Sequence, residues 1–166
     1  MDIRKFQNYA FVGIGSNLNS EFGAPKDNVL EAIERLKNLG VEPLLVSALI
    51  ESKPLDCPPG SPDFVNAVVA VIPEKNAEAL TFLHELQRIE NQMGRVRSGL
   101  KNEARVIDLD LLTFKAVVYQ SDELNLPHPE ILNRSFVLEP LQDLLAKAEF
   151  DHLIEFIKKL RLKRRS

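Results

Sequence analysis

The chain has 166 residues, the length of one ordinary domain, and its 45% hydrophobic and 27% charged composition is typical of a folded protein rather than a disordered or fibrous one. Its single cysteine, Cys57, excludes an internal disulfide, and no zinc-type spacing of cysteines and histidines is present. The longest apolar runs are far shorter than the roughly 20 residues that cross a bilayer. We therefore expect one domain over residues 1–166, no membrane partner and a cytoplasmic location.

The net charge of −3 is unevenly distributed along the chain. Six basic residues follow the last acidic residue, Glu155, so residues 1–157 hold 15 basic and 24 acidic residues, a net charge of −9. Affinity for nucleic acid comes chiefly from many Lys and Arg contacts to phosphates, so we expect no nucleic-acid partner. The basic tail from about residue 158 suits a hydrated helix end, because cations stabilise a helix C-terminus. A monomer is the expected state.

The first predicted elements are a strand and a helix. Residues 9–15 form a short β-type run that ends in the turn sequence Gly-Ser-Asn. Pro25 suits the first turn of a helix, and apolar residues then recur at helical spacing up to Leu36. We expect Gly40 to end this helix in the left-handed conformation, which glycine adopts without steric cost.

Two further strands, a second helix and a fourth strand follow. Residues 41–50 and 64–72 predict strands, separated by the proline loop (residues 52–63), which four prolines stiffen. A helix with an apolar stripe is predicted between an N-cap at Asn76 and a stop at Gly94, and residues 106–114 predict the last strand. This βαββαβ order predicts an α+β fold of the ferredoxin-like type, with helices packed on one face of an antiparallel sheet. A short strand and a C-terminal extension of two helices are predicted at residues 117–119, 136–147 and 151–162.

The chemically most specific segment is Asp108-Leu109-Asp110 in the predicted last strand. Because strand side chains alternate, the two carboxylates project from one face with Cα atoms roughly 6.5 Å apart, while Leu109 projects from the other face. The two negative charges repel each other and need compensation by water, basic groups or a bound cation. Mg²⁺ suits such a pair, because it takes one or two protein carboxylates and completes its octahedron with water and substrate phosphates. A strand whose polar face is simply hydrated is the alternative.

Basic side chains flank this aspartate pair in the sequence. They are Arg95, Arg97, Lys101 and Arg105 upstream and His128 and Arg134 downstream. Such cations can hold phosphate oxygens, so the pattern is typical of a polyphosphate site, although each one taken alone fits an ordinary surface charge. No phosphate-binding P-loop, complete dinucleotide fingerprint or G-x-S-x-G serine elbow is present.

Five segments together resemble the 6-hydroxymethyl-7,8-dihydropterin pyrophosphokinase family over about residues 9–145. They occur in the family's order and at close to its spacing, at residues 15–18, 62–68, 89–97, 105–112 and 126–141. Enzymes of this family transfer pyrophosphate from ATP to a pterin alcohol in folate biosynthesis, giving the pterin diphosphate and AMP. The resemblance therefore implies this activity, a requirement for two Mg²⁺ ions, and ATP and a reduced pterin alcohol as small-molecule partners.

The resemblance also implies roles for individual residues. Asp108 and Asp110 match the aspartates that hold the two magnesium ions, and with Arg95 and Arg105 they form the implied catalytic group. The residues that match ATP-binding positions are Gln87, Glu90, Arg97, His128 and Arg134. Those that match pterin-binding positions are Ser52, Leu55, Phe64, Asn66 and Phe136, in which the two phenylalanines sandwich the flat ring.

The chain departs from the family pattern just before Arg105. The family usually has Trp-Gly-Pro in this stretch, whereas the chain has Lys101-Asn102-Glu103-Ala104, so the aromatic residue that the family has here is absent. Two alternatives use the same residues without this reaction. One is another magnesium-dependent nucleotidyl or glycosyl transferase that uses Asp108 and Asp110, and the other is a non-catalytic ferredoxin-like module that binds a pterin or a nucleotide.

Overall fold

The computed structural model describes residues 5–54, 56–100, 103–148 and 152–165. The strands are β1 (Ala10–Ser16), β2 (Gly40–Val46), β3 (Ile50–Ser52), β4 (Phe64–Pro73), β5 (Asp108–Phe114), β6 (Tyr119–Gln120) and β7 (Asn125–Leu126). The helices are α1 (Pro25–Leu36), α2 (Ala79–Gln92), α3 (Ser135–Lys147) and α4 (Leu153–Arg165).

Five of the strands form one antiparallel sheet. Its order is β2-β4-β1-β5, and β3 also pairs with β4. The strand predicted at residues 41–50 is thus divided, because β2 pairs with residues 69–73 of β4 and β3 pairs with residues 64–66. The short strand predicted near residue 118 is β6, which forms a separate ribbon with β7. The α+β class with an antiparallel sheet is confirmed.

Helices cover both faces of the sheet: α1 and α2, the two helices of the predicted βαββαβ unit, pack on one face as predicted, and α3 and α4 pack on the other. β4 places Ala67, Val69 and Val71 against α1 and α2, and Val68 and Ala70 into a second cluster with α3 and α4. A strand that is apolar on both sides must be covered on both sides, because either face left in water would expose a large apolar surface. The two predicted C-terminal helices supply the second cover.

Position 40 requires glycine for a different reason from the one that the sequence suggested. α1 ends at Leu36 and a short 3₁₀ turn follows, whereas Gly40 has φ −155°, ψ −173° and begins β2. A Cβ at this position would collide with the carbonyl oxygen of Ile72 on β4. Gly40 therefore permits the close approach of two strands and is not a left-handed helix stop.

The prediction for α2 was correct at its C-terminal end and wrong at its N-terminal end. Glu78, not Asn76, is the N-cap residue, and it makes no capping hydrogen bond through its side chain. At the other end the helix stops at Met93, and Gly94 follows with φ +92°, as predicted. None of the described helices is both long enough and apolar enough to cross a membrane.

Candidate active site

The two aspartates of β5 project from the sheet face that α3 covers, as alternation predicts. In the register of β1 and β5, Gly15 lies opposite Asp108 and Gly13 lies opposite Asp110. Leu109 and Leu111 point the other way, into the core beneath α1 and α2. Because glycines occupy both of these positions, β1 itself adds no side chain beside the carboxylates. The sheet therefore has an acidic, open floor at this point.

The two carboxylates have different partners. Asp108 accepts a hydrogen bond from Arg95 Nη1 at 2.7 Å and lies 3.5 Å from Arg105 Nη2. Asp110 has no hydrogen bond or ion pair with any of the described residues. Burial, followed by the charge of Asp108, raises the pKa of Asp110 to about 7. An unpaired carboxylate beside a second carboxylate is a place where a hard cation gains binding energy.

This pair fits the oxygen donors that Mg²⁺ takes from proteins. Within the described parts of the chain, no group of three or more His, Cys, Asp and Glu side chains is arranged to hold a metal ion. Mg²⁺ does not need such a cage, because it commonly uses one or two carboxylates and takes its remaining ligands from water and phosphate. Asp108 and Asp110 therefore suit magnesium better than zinc.

Glu90 of α2 holds the arginine that holds Asp108. Its buried carboxylate accepts hydrogen bonds from Arg95 Nη1 at 2.5 Å and from the backbone N–H of Leu109 at 2.9 Å. Burial raises the pKa of Glu90, although these donors favour the ionised form. Glu90 thereby links α2 to the start of β5 and orients Arg95 towards Asp108.

A first cavity lies above β1 and β4 and is bounded by the start of α3. Four of the residues matched to the pterin line it: Ser52, Phe64, Asn66 and Phe136. Asn66 donates a hydrogen bond through Nδ2 to Ser52 Oγ at 2.6 Å, so two of these polar residues are mutually oriented. Leu55, the fifth residue of this set, lies outside the described residues.

A second cavity lies on the other side of the aspartates, beside α2 and the edge of β5. Five of the sequence-predicted residues line it and lie away from the first cavity: Gln87, Glu90, Arg95, Arg97 and His128. His128 Nδ1 accepts a hydrogen bond from the backbone N–H of Glu130 at 3.1 Å. Burial, followed by the charge of Arg134, lowers the pKa of His128 and favours the neutral ring.

Four residues form a wall that both cavities share. They are Arg105, Asp108, Asp110 and Arg134. The guanidinium carbon of Arg105 lies 5.0 Å from the ring centre of Phe64, and that of Arg134 lies 5.8 Å from the ring centre of Phe136. A ligand in either cavity therefore reaches the same two cations and two carboxylates. This arrangement can hold a chain of phosphates between two bound molecules.

Sequence reasoning missed some residues that line the cavities. Lys53, Asp56 and Cys57 of the proline loop line the first cavity, where only Ser52 and Leu55 of that segment were predicted. Apolar side chains of the second cavity were also missed, namely those of Leu83, Leu111 and Leu124. The helical spacing of Leu83 and the alternation of Leu111 predict core positions, and no signal in the sequence separates core from cavity wall.

The chain is similar to known proteins over most of its length. A family profile described as 7,8-dihydro-6-hydroxymethylpterin-pyrophosphokinase (HPPK) matches residues 11–146. The 2-amino-4-hydroxy-6-hydroxymethyldihydropteridine pyrophosphokinase of Haemophilus influenzae is 40% identical over 135 residues, which cover 80% of this chain and 78% of that protein. The protein of the same name from Pseudomonas aeruginosa is 38% identical over 135 residues, 81% of this chain and 78% of that protein.

A longer relative matches only in part. The folate synthesis bifunctional protein of Arabidopsis thaliana is 33% identical over 152 residues, which cover 92% of this chain and 31% of the plant protein. The two bacterial relatives, in contrast, match over most of their own length and most of this chain, and the profile matches most of this chain. The chain therefore belongs to the 7,8-dihydro-6-hydroxymethylpterin-pyrophosphokinase family.

Proposed function

We propose that the wall shared by the two cavities is where this enzyme carries out the reaction of its family. The enzyme transfers pyrophosphate from ATP to 6-hydroxymethyl-7,8-dihydropterin in folate synthesis, leaving AMP. One observation carries the assignment of residues. Among the described residues, the side chains matched to the pterin line the first cavity and those matched to ATP line the second, and the two cavities meet at Arg105, Asp108, Asp110 and Arg134.

The first cavity is proposed to bind the pterin. Phe64 and Phe136 offer aromatic faces to a flat heterocycle, and burial of such a ring between them is favourable. The amide of Asn66, oriented by Ser52, offers hydrogen bonds to the polar edge of the ring. Gly15 leaves room at this point, since a Cβ there would lie 3.2 Å from Asn66 Oδ1.

The second cavity is proposed to bind ATP. Leu83, Leu111 and Leu124 form an apolar patch suited to the adenine ring, and Gln87 lies beside them with a polar amide. The cations of this cavity, among them Arg97, then face the phosphates. The lowered pKa of His128, caused by burial and then by the charge of Arg134, favours the neutral ring, which takes part through hydrogen bonds.

Asp108 and Asp110 are the proposed magnesium ligands, and two ions are proposed. These carboxylates would hold Mg²⁺, which would neutralise charge on the phosphate chain and make the transferred phosphorus easier to attack. The structural support is that Asp110 has no partner among the described residues while Arg95 and Arg105 hold Asp108 in place. Two arginines without the carboxylates would bind phosphate but would not recruit a cation.

The transfer step needs positioning above all. The hydroxymethyl oxygen of the pterin attacks the β-phosphorus of ATP in line, the bond from that phosphorus to the bridging oxygen of AMP breaks, and the hydroxyl proton is released to water. Arg105 and Arg134 stand at the wall between the two substrates and stabilise negative charge on the transferred group. The wall thus holds the two reacting atoms within reach of each other.

The remaining proposals concern the whole chain. We infer a ferredoxin-like sheet over a single domain of residues 1–166, in which β2 and β3 together occupy one edge position next to β4; the order β2-β4-β1-β5 supports it. The net charge of −9 over residues 1–157 supports the absence of a nucleic-acid partner. We also propose that the protein is a monomer, that it is cytoplasmic and that it has no membrane partner.

The direct test is the release of AMP from ATP, measured with and without 6-hydroxymethyl-7,8-dihydropterin and Mg²⁺. We expect AMP to form only when both are present, and Asp108→Ala and Asp110→Ala each to reduce the rate by at least about 100-fold. Release of pyrophosphate or ADP, or AMP formation without the pterin, would contradict the proposed roles. Product formation by an Asp110→Ala variant at the normal rate would refute the metal assignment alone.

A further inference from the structure

Asn17 is a buried residue that touches two loops of the candidate active site. It follows β1 directly and is 2% exposed. Its Oδ1 accepts a hydrogen bond from the backbone N–H of Arg105 at 2.8 Å, and its Nδ2 donates to the carbonyl oxygen of Pro62 at 3.1 Å. The backbone N–H of Asn17 also donates to the carbonyl oxygen of Arg105, at 3.1 Å. Three hydrogen bonds therefore join three segments that are far apart in the sequence.

Both partners of Asn17 lie next to groups that line the cavities. Arg105 belongs to the wall shared by both cavities, and its side chain lies beside Phe64 and Asp108. Pro62 is the last proline of the proline loop. It lies two residues before Phe64, which lines the first cavity. Asn17 itself lines neither cavity. Its amide is therefore placed to fix the positions of groups that touch substrate without touching substrate itself.

The residues on both sides of Asn17 are anchored to α1. Asn28, which is fully buried, donates through Nδ2 to Ser16 Oγ at 3.2 Å and to the carbonyl oxygen of Leu18 at 2.8 Å. The backbone around Asn17 is thus held by the helix core, while the Asn17 side chain extends towards the loops. A rigid base of this kind can transmit its position to the loops it binds.

Few contacts of its own hold the side chain of Arg105, so its position depends on a fixed backbone. Its Nη1 donates only to the nearby carbonyl oxygen of Glu103, at 3.2 Å, and its buried Nε has no hydrogen-bond partner among the described residues. The ion pair to Asp108 is long, at 3.5 Å. The backbone of Arg105, by contrast, makes two hydrogen bonds to Asn17. The guanidinium therefore depends on the backbone for its place.

We propose that Asn17 is a positioning residue for pyrophosphoryl transfer, which holds Arg105 at the shared wall and ties it to the proline loop of the pterin cavity. The proposal rests on the function proposed above. An amide suits this position because it offers an acceptor to Arg105 and a donor to Pro62 at the same time. Aspartate would keep the acceptor and lose the donor, and alanine would lose both.

The test is a double-mutant cycle with Asn17→Ala, Arg105→Ala and the combined variant, with kcat measured by AMP release. We expect Asn17→Ala to lower kcat by about 10- to 100-fold, because a displacement of about 1 Å at a reacting group has this effect. If Asn17 acts through Arg105, the combined variant should match Arg105→Ala within about threefold. Multiplication of the two single losses in the combined variant would overturn the proposal.

Asn17→Asp distinguishes the contact with Arg105 from the contact with Pro62. It also provides a second test if the alanine variant fails to fold. It should raise the KM for the pterin by more than it lowers kcat, because the bond to Arg105 remains possible and the bond to Pro62 is lost. A wild-type KM and kcat in this variant would contradict the proposal.

Ser47→Ala is the matched control for lost stability. Ser47 is also buried, its Oγ bonds the backbone of Val68 and Ala48 at 2.9 Å each, and it lines neither cavity. We expect Ser47→Ala to lower the melting temperature without changing kcat or KM. An equal kinetic loss in Ser47→Ala would show that Asn17 matters only for folding. Absence of AMP formation by the wild-type enzyme would instead refute the proposed function.

Discussion

Asp108 and Asp110 lie on one strand face, and their surroundings prepare them for different tasks. Asp108 is held by two arginines, whereas Asp110 has no partner among the described residues and its pKa is raised to about 7. An ionised carboxylate in such a place lowers the stability of the protein until a cation binds. The free enzyme therefore carries a stability cost at the position that the metal is proposed to use.

The first prediction compares Asp110→Asn with Asp108→Asn in metal-free protein at pH 8. Because the folded-state pKa of Asp110 is raised, its favourable contribution is present below pH 4 and is lost as the pH rises through about 7. Asp110→Asn should therefore raise the free energy of unfolding by about 1–2 kcal/mol, measured by urea denaturation. Asp108→Asn loses its ion pairs and should lower it. Equal destabilisation by both variants would contradict this account.

His128 gives the second prediction, at acid pH. Its Nδ1 accepts a hydrogen bond from Glu130, and its pKa is lowered by burial and then by Arg134. When the folded-state pKa of a histidine is lowered, the unfolded chain takes up the proton first as the pH falls. The free energy of unfolding of the protein therefore decreases as the pH falls from about 6.5 through that lower pKa.

We expect His128→Asn to reduce the loss of unfolding free energy between pH 7.5 and pH 5.0 by about 1 kcal/mol, since asparagine can accept the same hydrogen bond but does not titrate. Urea denaturation of the wild type and the variant at both pH values measures this. An identical loss in both proteins would show that His128 is not protonated on unfolding.

At the scale of single elements, local periodicity predicted some features and not others. Alternation in residues 108–112 correctly assigned the aspartates to one face and Leu109 to the other, because side-chain direction in a strand depends only on position. The role of Gly40 was not predictable in this way. Position 40 requires glycine because the carbonyl oxygen of Ile72 on the neighbouring strand leaves no room for a Cβ. The sequence pattern of the preceding helix contains no information about that strand.

The same limit applies to the site. The resemblance assigned site roles to residues that are far apart in the sequence, and each of them that the structure describes lines at least one of the two cavities. Leu83, Leu111 and Leu124 were missed, because an apolar side chain that faces a cavity has the same sequence pattern as one that faces the core. Asn17 was part of a recognised segment, but its role depends on contacts with residues 45 and 88 positions away.

β1 provides the third prediction, at the floor of the first cavity. In Gly15→Ala the new Cβ would lie 3.2 Å from Asn66 Oδ1 and 3.6 Å from Phe64, so the Asn66 amide must shift. We expect the KM for the pterin to rise by about 5- to 10-fold, or about 1 kcal/mol, while the KM for ATP stays constant.

Gly13→Ala is the matched comparison on the same strand. Its Cβ would make ordinary contacts of 3.6–3.8 Å with Leu112 and none with Asn66. Steady-state kinetics of both variants should therefore show a larger pterin effect for Gly15→Ala. A larger effect of Gly13→Ala would indicate that the pterin binds elsewhere in the cavity.

At the scale of the whole molecule, the two cavities meet at β5, the edge strand of the sheet. The first is built from β1, β3, β4 and α3, and the second from α2, β5 and the segments on either side of β7. Because only the shared wall belongs to both, changes deep in one cavity should leave the binding of the other substrate intact.

The fourth prediction tests this separation by calorimetry. Asn66→Ala should weaken binding of the pterin by at least about 10-fold and leave binding of an ATP analogue unchanged, because Asn66 lines only the first cavity. Gln87→Ala should weaken the nucleotide by a few-fold and leave the pterin unchanged when each ligand is titrated alone. Loss of both ligands in either variant would argue against two independent cavities.

A crystal structure with Mg²⁺, a non-hydrolysable ATP analogue and the pterin alcohol tests the central assignment most directly. The account predicts the pterin between Phe64 and Phe136, the base of the nucleotide near Leu83, and the phosphate chain at the wall, with magnesium bound to Asp108 and Asp110. A nucleotide whose phosphates lie away from Asp108 and Asp110, with both carboxylates free of metal, would contradict it.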